Sequence, residues 1–226
     1  MDLSPEQIRW IFTAMFILVA SIALHEFGHA LVATLLGDET PRRQGRLTLN
    51  PIAHADPIGT LLLPMLGLLF TQGRSTGFGW GKPVQWQPRN ATRRWSMRTS
   101  EALVAIAGPG MNLILGTLVA IVHVILVHTG ALGADHAVNK ALYYAVGLNY
   151  TLMLFNLIPA PPLDGGWVAQ RFIPARHQRA WERFSVYGPF VIMAFVMISP
   201  LAQIFIWPAS KMRDGIYSTM MSILGM

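Results

Sequence analysis

Between Ile8 and Gly37 the chain carries an apolar run of about 30 residues, which as one helix reaches ~45 Å, more than the ~30 Å hydrocarbon core of a bilayer. Ser4 with Pro5 behind it makes an N-cap and first-position pair, and Gly37 followed by Asp38 makes a stop. Inside this run sit His25, Glu26 and His29, in an H-E-x-x-H pattern; Ser21, His25 and His29 fall on one stripe, with Glu26 next to it. Ionisable residues are costly at membrane depth and by default mark function. On a helix, positions i and i+4 share a face, so both histidines can reach one metal ion. Glu26 then sits beside the open coordination position, where it can take a proton from metal-bound water. The bland alternative is a pair of hydrogen-bonded core histidines.

The rest of the composition agrees with a membrane setting. Of 226 residues, 53% are hydrophobic and 12% charged, against roughly 25% charged in a soluble domain. This predicts several spans, packed as a single transmembrane domain over 1–226. The net charge of +6 does not point to nucleic acid, because the basic residues flank apolar runs and form no such motif. Lipid headgroups and the positive-inside rule account for them. There is no cysteine, so any metal must be held by histidine and carboxylate. A cleavable signal peptide is not expected, since Asp2 and Glu6 precede a run longer than a signal's apolar region.

Along the chain, Arg46–Asn50 alternates as a short strand would. Residues 57–70 are apolar but broken by Gly59, Pro64 and Gly67, too short to span, and are expected to dip into the membrane and return. The stretch Gly77–Trp86 reads either as an irregular edge strand or as an interfacial loop whose tryptophans sit among headgroups. Three further spans are predicted: Glu101–His128, kinked at 108–112; Lys140–Ile158, with Asn149 and Asn156; and Tyr187–Trp207. The expected fold is therefore an all-α polytopic membrane protein of about four transmembrane helices, a re-entrant segment and a small membrane-associated β-sheet.

Charge orients this arrangement. With residues 57–70 re-entrant, one side holds 13 Lys and Arg, and the other only Arg9, Lys140, Lys211 and Arg213. A full span there gives a weaker 11 to 6 split. The positive-inside rule favours the first, with both termini outside and the site toward the cytoplasm. It also brings the second half of the first helix to the same face as Asp164, just past the span 140–158.

A catalytic zinc takes three protein ligands and keeps one position for water. Asp164 is favoured as the third, since it follows a proline-rich turn and precedes two glycines that let the backbone bend. His54 and Asp56 are rivals on the same side. Glu101 and Glu182 read as boundary residues, and His123, His128, His136 and His177 as non-ligands. Zn2+, two neutral histidines, one aspartate and the Glu26 carboxylate sum to about zero charge, which is far cheaper to bury than an unpaired ion.

These two motifs, His25-Glu26-Phe27-Gly28-His29 and Asn156–Gly166, with Gly108-Pro109-Gly110-Met111-Asn112 between them, resemble the site-2 protease family of intramembrane zinc metalloproteases, peptidase family M50. The resemblance implies one zinc per chain on His25, His29 and Asp164, with Glu26 catalytic. It implies that Asn112 and Asn156 orient substrate or the developing oxyanion. It also implies a multi-pass protein of a bacterial or archaeal inner membrane that cleaves single-span substrates in regulated intramembrane proteolysis. Many members carry a PDZ or CBS domain. The chain has room for neither and looks like a compact form, so any regulatory membrane partner is unidentified.

The expected mechanism unwinds the substrate helix and pairs it as a strand along 77–86, where Trp80 and Val84 meet it. Two other classes compete. A non-proteolytic metal-binding protein or transporter keeps its activity in Glu26→Gln, and a zincin with a downstream glutamate ligand needs Glu101 or Glu182 at the metal.

Overall fold

The computed structural model describes residues 3–77, 79–92, 94–133, 137–197 and 199–225. Its first helix, α1 (Pro5–Leu35), begins as the sequence predicts. Ser4 accepts from the Gln7 backbone N–H while the Gln7 side chain returns to Ser4, a reciprocal capping box. The helix ends before Gly37, whose φ of +103° is open to glycine and strained for other residues.

Two four-residue turns follow, α2 (Thr40–Arg43) and α3 (Pro51–His54). Residues Pro57–Leu62 then form a π-helical stretch that continues into α4 (Leu63–Phe70). Beyond it lie α5 (Met97–His128), α6 (Ala137–Asn156), α7 (Asp164–Gln170), α8 (Gln178–Met197) and α9 (Ser199–Leu224). Helix α5 is the hub, packing on α1, α6, α7 and α9. Small buried residues let the backbones close up: Ala23, Ala30 and Ala33 on α1, Ala105, Gly108 and Ala120 on α5. Lipid is as apolar as a core, so close packing and interhelical hydrogen bonds, rather than water exclusion, hold such helices together. One cluster joins Ala120 and Val124 to Val146, Tyr150, Ala209 and Tyr217; another joins Ile11, Ala14 and Met15 to Leu68.

Three expectations need correction. The all-α class holds, but among the described residues there is no strand and no sheet. The stretch 46–50 spends its polar groups on turns: Arg46 N–H donates to Pro41 O, and Asn50 caps α3 by accepting from Ile52 N–H. The stretch 79–87 bonds to helix ends and side chains, not to another strand: Trp80 N–H to Gly59 O, Lys82 N–H to His54 O, Gln87 N–H to Asp38 Oδ2. Phe78, in the same predicted strand, lies outside the described residues, as does His136.

Second, two helices among those described, α1 and α5, are long and apolar enough to cross a membrane, not four. Asn139, Lys140, Asn149 and Asn156 interrupt α6, Arg179, Glu182 and Arg183 begin α8, and Lys211, Arg213 and Asp214 sit mid-way in α9. The predicted span Tyr187–Trp207 instead falls across the end of α8 and the start of α9.

Third, residues 57–70 do not turn back on themselves. They run as one helix beside α1, from the level of Trp80 and Gly59 to that of Trp10, whose Nε1–H donates to Gly73 O. The return leg is the extended chain after residue 73, which passes back across the site. Helix α5 likewise runs through Pro109 without a break.

Candidate metal centre

His25, Glu26 and His29 are all buried; the two histidines face α5, and Glu26 faces the extended chain at 79–87. Each imidazole is fixed from behind. His29 Nδ1 lies 2.7 Å from the carbonyl of Val104; a carbonyl cannot donate, so Nδ1 carries the proton and Nε2 the lone pair. His25 Nδ1 lies 2.7 Å from Asn112 Oδ1. The Asn112 amide faces the other way, donating to Asn149 Oδ1 at 2.9 Å and Ser21 O at 3.3 Å. Its Oδ1 is therefore an acceptor, and His25 also presents a bare Nε2. Asn149 in turn donates to Ser21 Oγ and Ala145 O. This chain of bonds ties α1, α5 and α6 together at the depth of the ligands.

The third group arrives on α7. Asp164 Oδ2 lies 3.2 Å from His25 Nε2 and 3.4 Å from His29 Nε2, and the two Nε2 atoms are 3.1 Å apart. The glycines after Asp164 serve packing rather than a bend. Gly165 is helical, and a Cβ there would lie 2.3 Å from the Leu157 carbonyl. On the other side, a Cβ at Gly108 would lie 2.3 Å from His29 Nε2, so only glycine lets α5 pass so close to the pair.

The donor set tests whether a metal fits. Two nitrogen lone pairs and a carboxylate oxygen converge on one point, and Asp164 Oδ2 is buried without a hydrogen-bond partner among the described residues. Tetrahedral ligands at ~2.0–2.1 Å from zinc stand roughly 3.3 Å apart, close to all three observed separations. Three acceptors facing one another repel unless a cation lies between them. The arrangement suits zinc.

Glu26 flanks this cluster. Its Oε2 accepts from the Val84 backbone N–H at 3.1 Å, and Gly81 passes close to Oε1. A cavity of about 910 Å3 opens over the group, lined mainly by apolar side chains, together with Trp80, Val84, Glu101 and Asn156.

The structure brings together His25, Glu26, His29 and Asp164. It keeps the rivals apart: His54 donates through Nε2 to Thr48 O, and Asp56 caps the Pro57 helix by accepting from Ile58 and Gly59 N–H. Burial holds the His54 imidazole below its ordinary pKa, in its neutral form. Glu101 lines the cavity but is not among the converging ligands, and Glu182 stands in α8. His123 bonds Tyr217 Oη and Asn139, and His177 accepts from Arg176; neither joins the centre. Asn112 is fully buried behind His25 and does not border the cavity; its contacts are with His25, Ser21 and Asn149. Asn156 does border the cavity, while its Nδ2 donates to Leu152 O. The Val104 carbonyl was invisible to sequence reasoning, because a main-chain acceptor leaves no side-chain signature.

Comparison with known proteins gives a consistent result. The model of peptidase family M50 matches residues 119–199. The chain is 35% identical over 204 residues to "Putative zinc metalloprotease YwhC" of Bacillus subtilis (strain 168), covering 88% of this chain and 86% of that protein. It is 33% identical over 197 residues to "Putative zinc metalloprotease Rip2" of Mycolicibacterium smegmatis, covering 84% of this chain and 70% of the relative. Rip2 of Mycobacterium tuberculosis is also 33% identical, over 165 residues, covering 72% of this chain and 58% of the relative. No solved structure gives a significant match.

Proposed function

The chain belongs to peptidase family M50 and is an intramembrane zinc metalloprotease, and from that premise we propose how its residues divide the work. His25 Nε2, His29 Nε2 and Asp164 Oδ2 hold one zinc ion, and Glu26 is the general base. The observation that carries this reading is the convergence of the three donor atoms at 3.1–3.4 Å, with both Nδ1 positions committed elsewhere.

When bound, zinc supplies a Lewis acid that polarises a carbonyl and makes water nucleophilic near neutral pH. The protein's own residues do the rest. Asn112 and the Val104 carbonyl hold the imidazole tautomers that leave Nε2 free. Val84 N–H fixes Oε2 of Glu26, so the carboxylate points its remaining lone pairs at the attacking water and takes its proton. Glu26 then delivers that proton to the leaving amine. The extended chain at 79–87 borders the cavity, and a substrate whose helix has unwound can lay its main chain against it. Substrates on this reading are single-span membrane proteins. The setting is the inner membrane of a prokaryote, with the site toward the basic, cytoplasmic side, as the crowding of Arg and Lys around residues 38–100 and 159–186 supports.

The test is reconstitution in vesicles with a panel of single-span membrane proteins. Wild type should cleave a subset at a position within or beside the span. Glu26→Gln should retain zinc while turnover drops by about 10²–10⁴-fold. Undiminished cleavage in that variant would remove Glu26 as the base, and zinc-loaded wild type that cleaves nothing in the panel would leave a metal-binding or transport role instead.

A further inference from the structure

Arg46 is buried, 5% exposed, on the loop between α2 and α3. Its two terminal nitrogens each donate to a main-chain carbonyl: Nη1 to Ala53 O in α3, Nη2 to Lys82 O in the extended chain that crosses the site. Among the described residues its buried Nε has no partner and Arg46 is absent from the ion pairs. A buried guanidinium without a carboxylate beside it is expensive. If tying two loops together were the whole task, a neutral donor would serve at lower cost.

The extended chain shows what the charge faces. Its successive ties are Trp80 to Gly59 and Thr60, Lys82 to His54 and Arg46, and Val84 to Glu26. Arg46 therefore grips the residue two positions before the N–H that orients the base. Burial works against the Arg46 charge, and the Glu26 carboxylate works for it, so the two groups stand within electrostatic reach.

We infer that Arg46 is a positioning residue for the protease reaction: its planar fork clamps Lys82 O to Ala53 O and so sets Val84 N–H on Glu26. This rests on the reading of Glu26 as general base. Lysine does not substitute fully, since an ammonium lacks the rigid fork that meets two carbonyls at once. The neutral His54 packed nearby adds no competing charge.

The experiment uses the full chain in vesicles with a single-span substrate that wild type cleaves, and compares Arg46→Met, Arg46→Lys and Val84→Pro, each with zinc content measured. Arg46→Met should lower kcat by about 100-fold, the scale expected for an ångström-sized misplacement of a catalytic group, with KM and zinc content near wild type. Arg46→Lys should recover part of that loss. Adding Arg46→Met to Val84→Pro should cost little more than Val84→Pro alone, because both act through one N–H. Wild-type kcat in Arg46→Met, loss of zinc from it, or fully multiplicative losses in the double variant would each overturn the assignment while leaving Glu26's role intact. If Arg46→Met does not insert, Arg46→Lys decides alone: wild-type kcat there overturns the fork's role. Undiminished turnover in Glu26→Gln would remove the reading beneath it and the inference together.

Discussion

The three converging donor groups and the Glu26 carboxylate are held by different kinds of structure. On the ligand side, His25 and His29 are backed by an amide and a carbonyl of α5, with Ser21 and Asn149 completing a closed set of bonds between regular helices. On the base side, Glu26 is met by a main-chain N–H from an extended stretch whose own bonds go to helix ends, a buried arginine and Asp38. The first arrangement is stiff because helices cannot shift one residue alone. The second depends on several separate ties. Metal affinity and turnover should therefore respond to different substitutions.

The largest effect expected is on the ligand side. Asp164→Ala should abolish both zinc binding and cleavage, read by metal analysis of the purified protein, because two histidines on one helix turn do not complete a site. Retained zinc in that variant would point to a different third ligand. Asn112→Leu should lower zinc affinity by about 10–100-fold through loss of the His25 tautomer lock, measured by competition with a chelator. At saturating zinc its kcat should recover, which a substrate-binding role for Asn112 would not allow. On the base side, Gln85→Pro alters the extended chain one residue after the Glu26 contact. Cleavage should slow by about tenfold with zinc unchanged, the scale of a lost hydrogen bond to substrate. Equal cleavage would show that substrate does not use that edge.

The smallest effect concerns Asp38, which holds the far end of the extended chain. Burial alone would raise its pKa, but bonds from Thr40, Gln87 and Asn90 to the carboxylate outweigh this and lower it below 3.8. The stabilisation is thus complete above 3.8, the unfolded value, and disappears as pH falls through the lower folded value. Hydrogen exchange at residues 87–90 should stay constant from pH 8 to about 5, once corrected for intrinsic rates, and accelerate only in stronger acid. Asp38→Ala should cost about 1.5–3 kcal/mol, as for a lost hydrogen bond to a charged group, with zinc retained.

Sequence reasoning read the helical side well and the extended side poorly, for a physical reason. Capping at Ser4, the stop at Gly37 and the i, i+4 pairing of His25 with His29 depend on neighbours in the chain. Asp164 is reached only through topology, since it lies 135 residues beyond His29. By contrast, alternation at 46–50 and 77–86 signals extended backbone but says nothing about what pairs with it. Here the partners are carbonyls of α3, the side chain of Arg46 and a carboxylate of α1. Asn112 is ambiguous from sequence in a similar way. A polar residue inside lipid announces function, yet only the packing of α5 on α1 decides whether it faces substrate or the back of an imidazole.

The short helix that carries Asp164 sets a clock. His25 and His29 ride on a continuous helix of 31 residues and cannot separate without breaking it, whereas Asp164 stands at the first turn of a seven-residue helix reached through the turn at 157–163. If an ion held there leaves, α7 rather than α1 is the element expected to move, and the off-rate of zinc should report how often that short helix swings away. Substitutions that loosen the seat of Gly165 against Leu157 should shorten the residence time of the ion, even where the affinity of the two histidines is unchanged.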